Sequence, residues 1–199
     1  MNREMFSLGG LILGLMLVLP SAARADDYKA DPVHSFVVFD VHHLQAGYVY
    51  GTFEGPTGAI SYSSDNPTMS SFDLTVQTDS IDTRNKNRDK DLKGPDFFDT
   101  KQFPTIEFKS TSVSASTELS AKPGETMLTV TGDLTLKGVT KSITVPMACT
   151  GTGQMMGQTR IGFRTEFTIN RQDFGMVKDP PTMIANEIHI VVAIEAIKQ

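Results

Sequence analysis

Residues 126–149 read TMLTVTGDLTLKGVTKSITVPMAC. Within this stretch Leu128, Val130, Leu134 and Leu136 alternate with Thr129, Thr131, Asp133 and Thr135, and Gly132 falls in the apolar register. Neighbouring side chains of an extended chain point to opposite faces, so a period of two held this long describes a half-buried strand, not a helix. Lys137-Gly138 interrupts the pattern, and Ile143, Val145 and Met147 resume it. Two strands joined by a tight hairpin are the expected structure.

The same period recurs on both sides. Ile161, Phe163, Phe167 and Ile169 alternate with Arg160, Arg164, Glu166 and Thr168; Ile188, Ile190, Val192 and Ile194 alternate with Glu187, His189 and Glu195. Upstream, Phe72, Leu74 and Val76 are set against Asp73, Thr75 and Gln77, and Val37, Phe39 and Val41 against Val38, Asp40 and His42. We read strands over 34–43, 48–62, 69–78, 105–115, 126–137, 140–149, 158–169 and 186–197, with Gly, Pro, Asn and Ser in the gaps. One apolar and one wet face per strand is the signature of antiparallel sheet. A twelve-residue strand spans roughly 40 Å, and closing such strands into a barrel removes their aggregation-prone edges. The expected fold is all-β, an antiparallel barrel of about eight long strands. An immunoglobulin-like sandwich is the alternative, but a chain with one Cys and no Trp lacks its Cys…Trp…Cys hallmark.

Residues 83–100, TRNKNRDKDLKGPDFFDT, have no alternation. Asp82 or Thr83 is placed to cap a short helix over 84–93 that Gly94-Pro95 ends. Asp96-Phe97-Phe98-Asp99 then reads as a further helical turn that sets two rings against something apolar. This is either a lid across one barrel end or a plain crossover filling a corner of the core. Arg84, Lys86, Arg88, Lys90 and Lys93 face only Asp89 and Asp91 within it. Either an anion site or a solvated helix face fits that charge run.

Residues 1–25 stand apart. Arg3 precedes an uninterrupted apolar run from Leu8 to Leu19, Pro20-Ser21 breaks it, and Ala23-Arg24-Ala25 is a small-x-small cleavage signal. These are the parts of a secretory signal peptide, with cleavage expected after Ala25. The run is shorter than the ~20 residues needed to span a bilayer, and no later segment is apolar enough to do so. Residues 26–199 are then one exported domain with no membrane span. In an oxidising compartment the lone Cys149 is either a small buried hydrophobe or an intermolecular bridge, the latter giving a homodimer.

A net charge of −5 and a pI near 5.3 argue against a nucleic-acid partner. The chain contains no G-x-S-x-G, H-E-x-x-H, P-loop or dinucleotide fingerprint. His34, His42, His43 and His189 lack metal-ligand spacing. Adjacent residues of a strand point apart, so His42 and His43 do not share an ion. No metal site and no enzyme are expected. Small barrels either fill their interior with side chains or hold one ligand, and the alternation does not choose between them.

Several blocks together resemble one family. Asp31-Pro32-Val33-His34-Ser35-Phe36-Val37-Val38-Phe39-Asp40-Val41-His42-His43-Leu44, followed by Gly51-Thr52-Phe53, is similar to the opening of the YceI-like proteins. Ser80-Ile81-Asp82-Thr83, Asn85, Arg88-Asp89, Leu92, Asp96-Phe97-Phe98-Asp99 and Phe103-Pro104-x-Ile106-x-Phe108-x-Ser110 follow its pattern. So do Gly132 to Lys141, Asn170-Arg171-x-Asp173-Phe174-Gly175 and the strand from Glu187 to Ala196. The likeness covers residues 27–197. Arg84 departs from it where Gly is common, and Asp91 where His is common.

The resemblance implies a periplasmic, lipocalin-like barrel with a helical insertion near 84–100. It implies a polyisoprenoid, isoprenoid quinone or fatty-acid-like ligand in an elongated pore, and neither cofactor nor catalytic residues. The pore candidates are Phe39, Phe53, Phe97, Phe98, Phe108, Phe163 and Phe167, each of which could equally be ordinary core. His43, Arg88, Asp89 and Arg171 are candidates for a polar mouth, the arginines and Asp89 also for ion pairs holding the insertion. The alternative function is a stress-related or interaction barrel whose core is filled or only incidentally holds lipid.

Overall fold

The computed structural model describes residues 24–116 and 122–199. All but the end of the expected leader, 1–25, lies outside the described residues. Ten strands occur in chain order: β1 (Asp26–Ala30), β2 (Phe36–His43), β3 (Gly47–Phe53), β4 (Thr57–Tyr62), β5 (Ser71–Gln77), β6 (Thr105–Ala115), β7 (Thr126–Leu136), β8 (Val139–Met155), β9 (Gln158–Asn170) and β10 (Ile184–Lys198). Among the described residues one α-helix, α1 (Lys86–Leu92), interrupts them between β5 and β6.

Every pairing is antiparallel, in the order β1-β4-β5-β6-β7-β8-β9-β10, and β1 pairs back to β10. That ring is the expected eight-stranded barrel. The β2–β3 hairpin extends it upward. Along one edge of β10, β1 pairs at Ala196–Lys198 and β2 at Ile184–Ala193. β1 and β2 are therefore two halves of one broken stave, and β4 and β3 are two halves of the next.

The break corrects the single strand expected over 48–62. Pro56 has no N–H to give to a ladder, and Gly55 lies so close to the carbonyls of Pro32 and Ser35 that no Cβ would fit. β1 was not anticipated, because DDYKA carries only Tyr28 and Ala30 as apolar signal. β8 runs on to Met155 through Gly151 and Gly153, where apolar alternation has stopped. The Lys137-Gly138 hairpin is as expected: Leu136 pairs with Val139, and both turn residues have positive φ, 50° and 73°, as a two-residue hairpin turn requires.

The helix cap differs from expectation. Asn85, not Asp82 or Thr83, accepts from the N–H groups of Asn87 and Arg88, both at 3.1 Å. The helix stops before Gly94-Pro95 as anticipated, but residues 94–98 are turns without a further helical turn. The base of the insertion is tied where Thr78 donates its N–H to Pro104 O (2.9 Å) and its hydroxyl to Phe103 O (2.7 Å).

The barrel interior divides into two ends. At one, Phe72, Phe163, Ile60, Leu128, Val130 and Ile161 are fully buried and pack with Tyr28, Tyr62 and Met147. Phe163 meets Phe72 and Tyr62 edge-on at 5.2 and 5.3 Å, a favoured aromatic geometry. Cys149 is buried in the same cluster, as its small-hydrophobe reading requires. At the other end, two smaller clusters, around Leu134, Ile169 and Phe174 and around Val37, Phe53 and Ile81, leave space between them.

Candidate functional site

The open end encloses a cavity of about 470 Å³, within the roughly 300–1,000 Å³ typical of small-molecule sites. Its walls are the inward positions of the strands: Val37 and Phe39 of β2, Phe53 of β3, Val76 of β5, Ile106 and Phe108 of β6, Phe167 and Ile169 of β9, and Ile188, Ile190 and Val192 of β10. Leu92, Phe97 and Phe98 of the insertion cover it, and Phe98 stands edge-on to Phe53 at 5.4 Å. The packed end closes it at Leu74, Val145, Met147 and Ile194.

Of the seven phenylalanines singled out in the sequence, Phe39, Phe53, Phe97, Phe98, Phe108 and Phe167 line this space. Phe163 does not: it belongs to the packed end, where Tyr62 and Phe72 enclose it. Period-two reading puts Phe163 and Phe167 on one face but says nothing about their depth along the barrel.

Two glycines keep the lumen clear. Phe39 pairs directly with Gly51 across the β2–β3 ladder, and a Cβ on Gly51 would collide with the Phe39 ring. A Cβ on Gly132 would likewise collide with the ring of Phe108 on the neighbouring strand. Each ring is seated over bare backbone where a side chain would otherwise stand. The Gly132 that kept the apolar register in the sequence is thus a seat for a ring.

The polar groups at the mouth are largely committed to structure. Arg171 is 2% exposed, and its Nε and two NH groups donate to the carbonyls of Ala185, Met176, Lys178, Asp179 and Ile184 at 2.6–3.1 Å. A guanidinium has five N–H donors, so all are used, and burial lowers its pKa. Its place is as the staple of the 175–185 loop. Arg88 donates from Nε to Thr83 Oγ1 and from an NH group to Thr83 O, both at 2.7 Å. Asp89 is not on the cavity wall. Its carboxylate accepts from Thr83 N–H (2.8 Å) and Thr83 hydroxyl (2.5 Å), which holds its pKa below the usual range. His43 is exposed at the end of β2, on the rim.

Lys178, Asp179 and Met176 on the 175–185 loop, and Asp91 of α1, also line the mouth. That loop has no periodicity to announce it. Only Asn170-Arg171, which starts a 3-10 turn ended by left-handed Gly175 (φ 74°), marks its start. Loop and insertion are latched. Lys178 Nζ lies 2.8 Å from Asp96 and 5.8 Å from the Phe97 ring centroid. Lys137 Nζ donates to Pro95 O (2.8 Å) and Gly175 O (3.3 Å).

Among the described residues the histidines form no common cluster. His34 and His43 flank β2 at opposite ends. His42 stacks on Tyr48 at 4.9 Å, and His189 sits between Asp40 (2.8 Å) and Glu166 (2.9 Å). Asp31, His34 and Glu195 bring ligand atoms within 4.8 Å of one another, but the guanidinium of Arg160 already donates to both carboxylates.

Among the described residues no helix is long and apolar enough to cross a membrane. The Protein YceI of Escherichia coli O157:H7 is 35% identical over 196 residues, covering 97% of this chain and 98% of its own. In solved structures, Burkholderia cenocepacia BcnA superposes with a TM-score of 0.69 at 22% identity, over 83% of this chain and 98% of its own. A polyisoprenoid binding domain from Saccharophagus degradans does so at 0.65 and 15% identity, over 86% and 98%. Residues 28–196 match the YceI-like domain. With the eight-stranded barrel and its insertion in place, these likenesses converge: the chain belongs to the YceI-like family.

Proposed function

We propose that this protein is a periplasmic carrier or reservoir that holds a long apolar molecule, a polyisoprenoid or isoprenoid quinone or a fatty-acid-like amphiphile, in the hollow half of its barrel. The observation that carries the reading is the cavity itself. Its walls are mostly Phe, Ile, Leu and Val, and its three buried polar residues are already satisfied: Thr83 donates its hydroxyl to Asp89 (2.5 Å), Thr165 donates its hydroxyl to Pro146 O (2.6 Å), and Arg171 spends its donors on carbonyls. Transferring each CH₂ from water is favourable by about 0.8 kcal/mol, so a 20-carbon chain gains on the order of 10–16 kcal/mol gross. Several kcal/mol of ordering cost come off that, which leaves micromolar or tighter binding. The resemblance in sequence supports the same ligand class, as does the fold shared with the Saccharophagus polyisoprenoid binding domain. Among the described residues the titratable groups of the lining, His43, Arg88, Asp91, Arg171, Lys178 and Asp179, belong to the mouth while the wall is apolar, and we read the protein as a binder and not as an enzyme. The leader over 1–25 carries the assignment to the periplasm.

Organic extraction of protein purified from the periplasm, followed by mass spectrometry, tests the reading. A co-purifying lipid is expected, and stripping it lowers Tm, because a ligand bound only to the native state stabilises that state. Phe108→Asp should expel the lipid or unfold the barrel. Phe98→Ala should weaken retention and leave the barrel folded. A stable, ligand-free preparation that takes up neither added quinone nor fatty acid would reject the carrier and leave the interaction protein standing.

A further inference from the structure

Apolar side chains ring the mouth on the outside as well as the inside. Leu44, Val177 and Met183 are 55%, 66% and 43% exposed. Each is the chain neighbour of a cavity-lining residue: His43, Met176 and Lys178, and Ile184. Leu44 N–H donates to Met183 O at 2.8 Å, so the β2–β3 tip and the 176–184 loop form one continuous lip. The tip is an unfavourable place for leucine. Leu44 and Gln45 are the central residues of the turn that Ala46 N–H closes onto His43 O (3.0 Å), with φ of 53° and 54°, a left-handed region that favours Gly and Asn. Tyr48, 61% exposed, flanks the same tip, and amphipathic rings of this kind suit a lipid–water boundary.

Charge adds a second, independent observation. The helix α1 borders the mouth through Arg88, Asp91 and Leu92. Segment 84–93 carries five cations against two carboxylates in a chain of net −5. Of those carboxylates Asp89 is turned back onto Thr83, while Lys86 and Lys90 are exposed. Asp91 and Asp179 remain on the rim.

We propose that this lip, Leu44, Val177 and Met183 beside the cationic face of α1, docks the cavity mouth onto an anionic phospholipid bilayer. Inserted apolar side chains and attracted lysines are the two components of reversible interfacial binding. The inference rests on the carrier reading for its purpose, since a ligand insoluble in water must pass directly between bilayer and cavity.

Flotation of the mature protein with phosphatidylglycerol–phosphatidylcholine vesicles, and with phosphatidylcholine alone, tests it. The protein floats with the anionic vesicles and is released by salt. Lys86→Glu with Lys90→Glu weakens binding about tenfold or more, from the roughly fivefold that each surface lysine supplies. Leu44→Glu with Met183→Glu abolishes it, while Met156→Glu, on the 92%-exposed tip of the β8–β9 hairpin, has no effect. An environment-sensitive dye on Met183→Cys shifts to the blue with vesicles, and the same dye on Met156→Cys does not, which holds the test open if the double glutamate fails to fold. Absence of flotation at low salt, or equal losses at Met156 and Leu44, overturns the docking surface. Lipid in the extract without flotation removes the docking and spares the carrier. Flotation of a protein whose cavity takes up no lipid does the reverse.

Discussion

Phe39 and Phe108 show how a single hydrogen in place of a methyl group decides whether this barrel is hollow. Their rings rest where Gly51 and Gly132 leave the strand surface bare. Gly51→Ala removes the seat under Phe39 and turns its ring into the lumen. We expect Tm to drop by the equivalent of about 1–3 kcal/mol, the ordinary cost of overpacking, and uptake of a fluorescent fatty acid to fall. Adding Phe39→Ala should restore uptake; unchanged uptake in Gly51→Ala alone would show that the ring does not set the free volume. Arg84 is a second residue-scale case. It sits at φ 61°, a conformation costing a residue with a Cβ about 1–2 kcal/mol. Arg84→Gly should raise stability by about 0.5–1 kcal/mol after glycine's own entropy cost, measured by urea unfolding. A loss of stability would show that the Arg84 side chain contributes more than its backbone costs.

At the scale of elements, what the chain announces and what it conceals follow from the range of the interactions. The strands that carry Leu128 to Leu136 and Ile188 to Ile194 are written in a period of two, because each is half-buried along its whole length. The Lys137-Gly138 turn is legible because its backbone demands φ > 0. β1 and the break at Gly55-Pro56 were not, since short strands give too few repeats and a kinked stave keeps its alternation on both sides of the kink. The insertion could be seen as an interruption, but not its cap: Asp82, Thr83 and Asn85 are all good capping residues, and only the fold puts Asn85 on Asn87 and Arg88. The phenylalanines of the cavity wall were legible as inward-facing positions. Depth along the barrel was not, and so Phe163 falls in the packed end while Lys178 and Asp179, in an aperiodic loop, lie at the mouth. The difference between the ends has a mechanical sense. Phe72, Phe163 and Leu128 anchor the barrel whether or not the other end is occupied.

The whole molecule carries a pH dependence on its outer face. Asp40 and Glu166 hold the His189 ring between them, and their hydrogen bonds raise its pKa above the ordinary 6.5. Such a group stabilises the fold fully below 6.5, and its contribution is lost as pH rises through the folded-state value. Asp31 works in the other direction. Hydrogen bonds from His34 and Arg160 bring its pKa to about 2, so its contribution is present above 3.8 and lost as pH falls toward 2. Both are in place between pH 3.8 and 6.5, and a Tm profile should decline on either side. His189→Gln should flatten the alkaline limb and leave the acid limb unchanged. Parallel profiles for His189→Gln and wild type would remove His189 from the account.

The wall between β3 and the chain after β5 is held by one pair of reciprocal backbone bonds, Thr52 N–H to Asp82 O and Asp82 N–H to Thr52 O, at 2.9 and 3.0 Å, by the N–H of Glu54 donating to Ser80 Oγ at 3.0 Å, and by the Thr52 hydroxyl at 3.5 Å from Asp82 O. Elsewhere the staves are laced along many residues; β7 and β8 pair at eleven successive positions. A hoop widens first at its least-laced seam. Parting this one costs a few hydrogen bonds, on the order of 2–4 kcal/mol net, and leaves all eight pairings of the ring closed. On the carrier reading, a bulky guest would therefore be accommodated at this one side, with the insertion riding on it, before the rest of the cylinder yields.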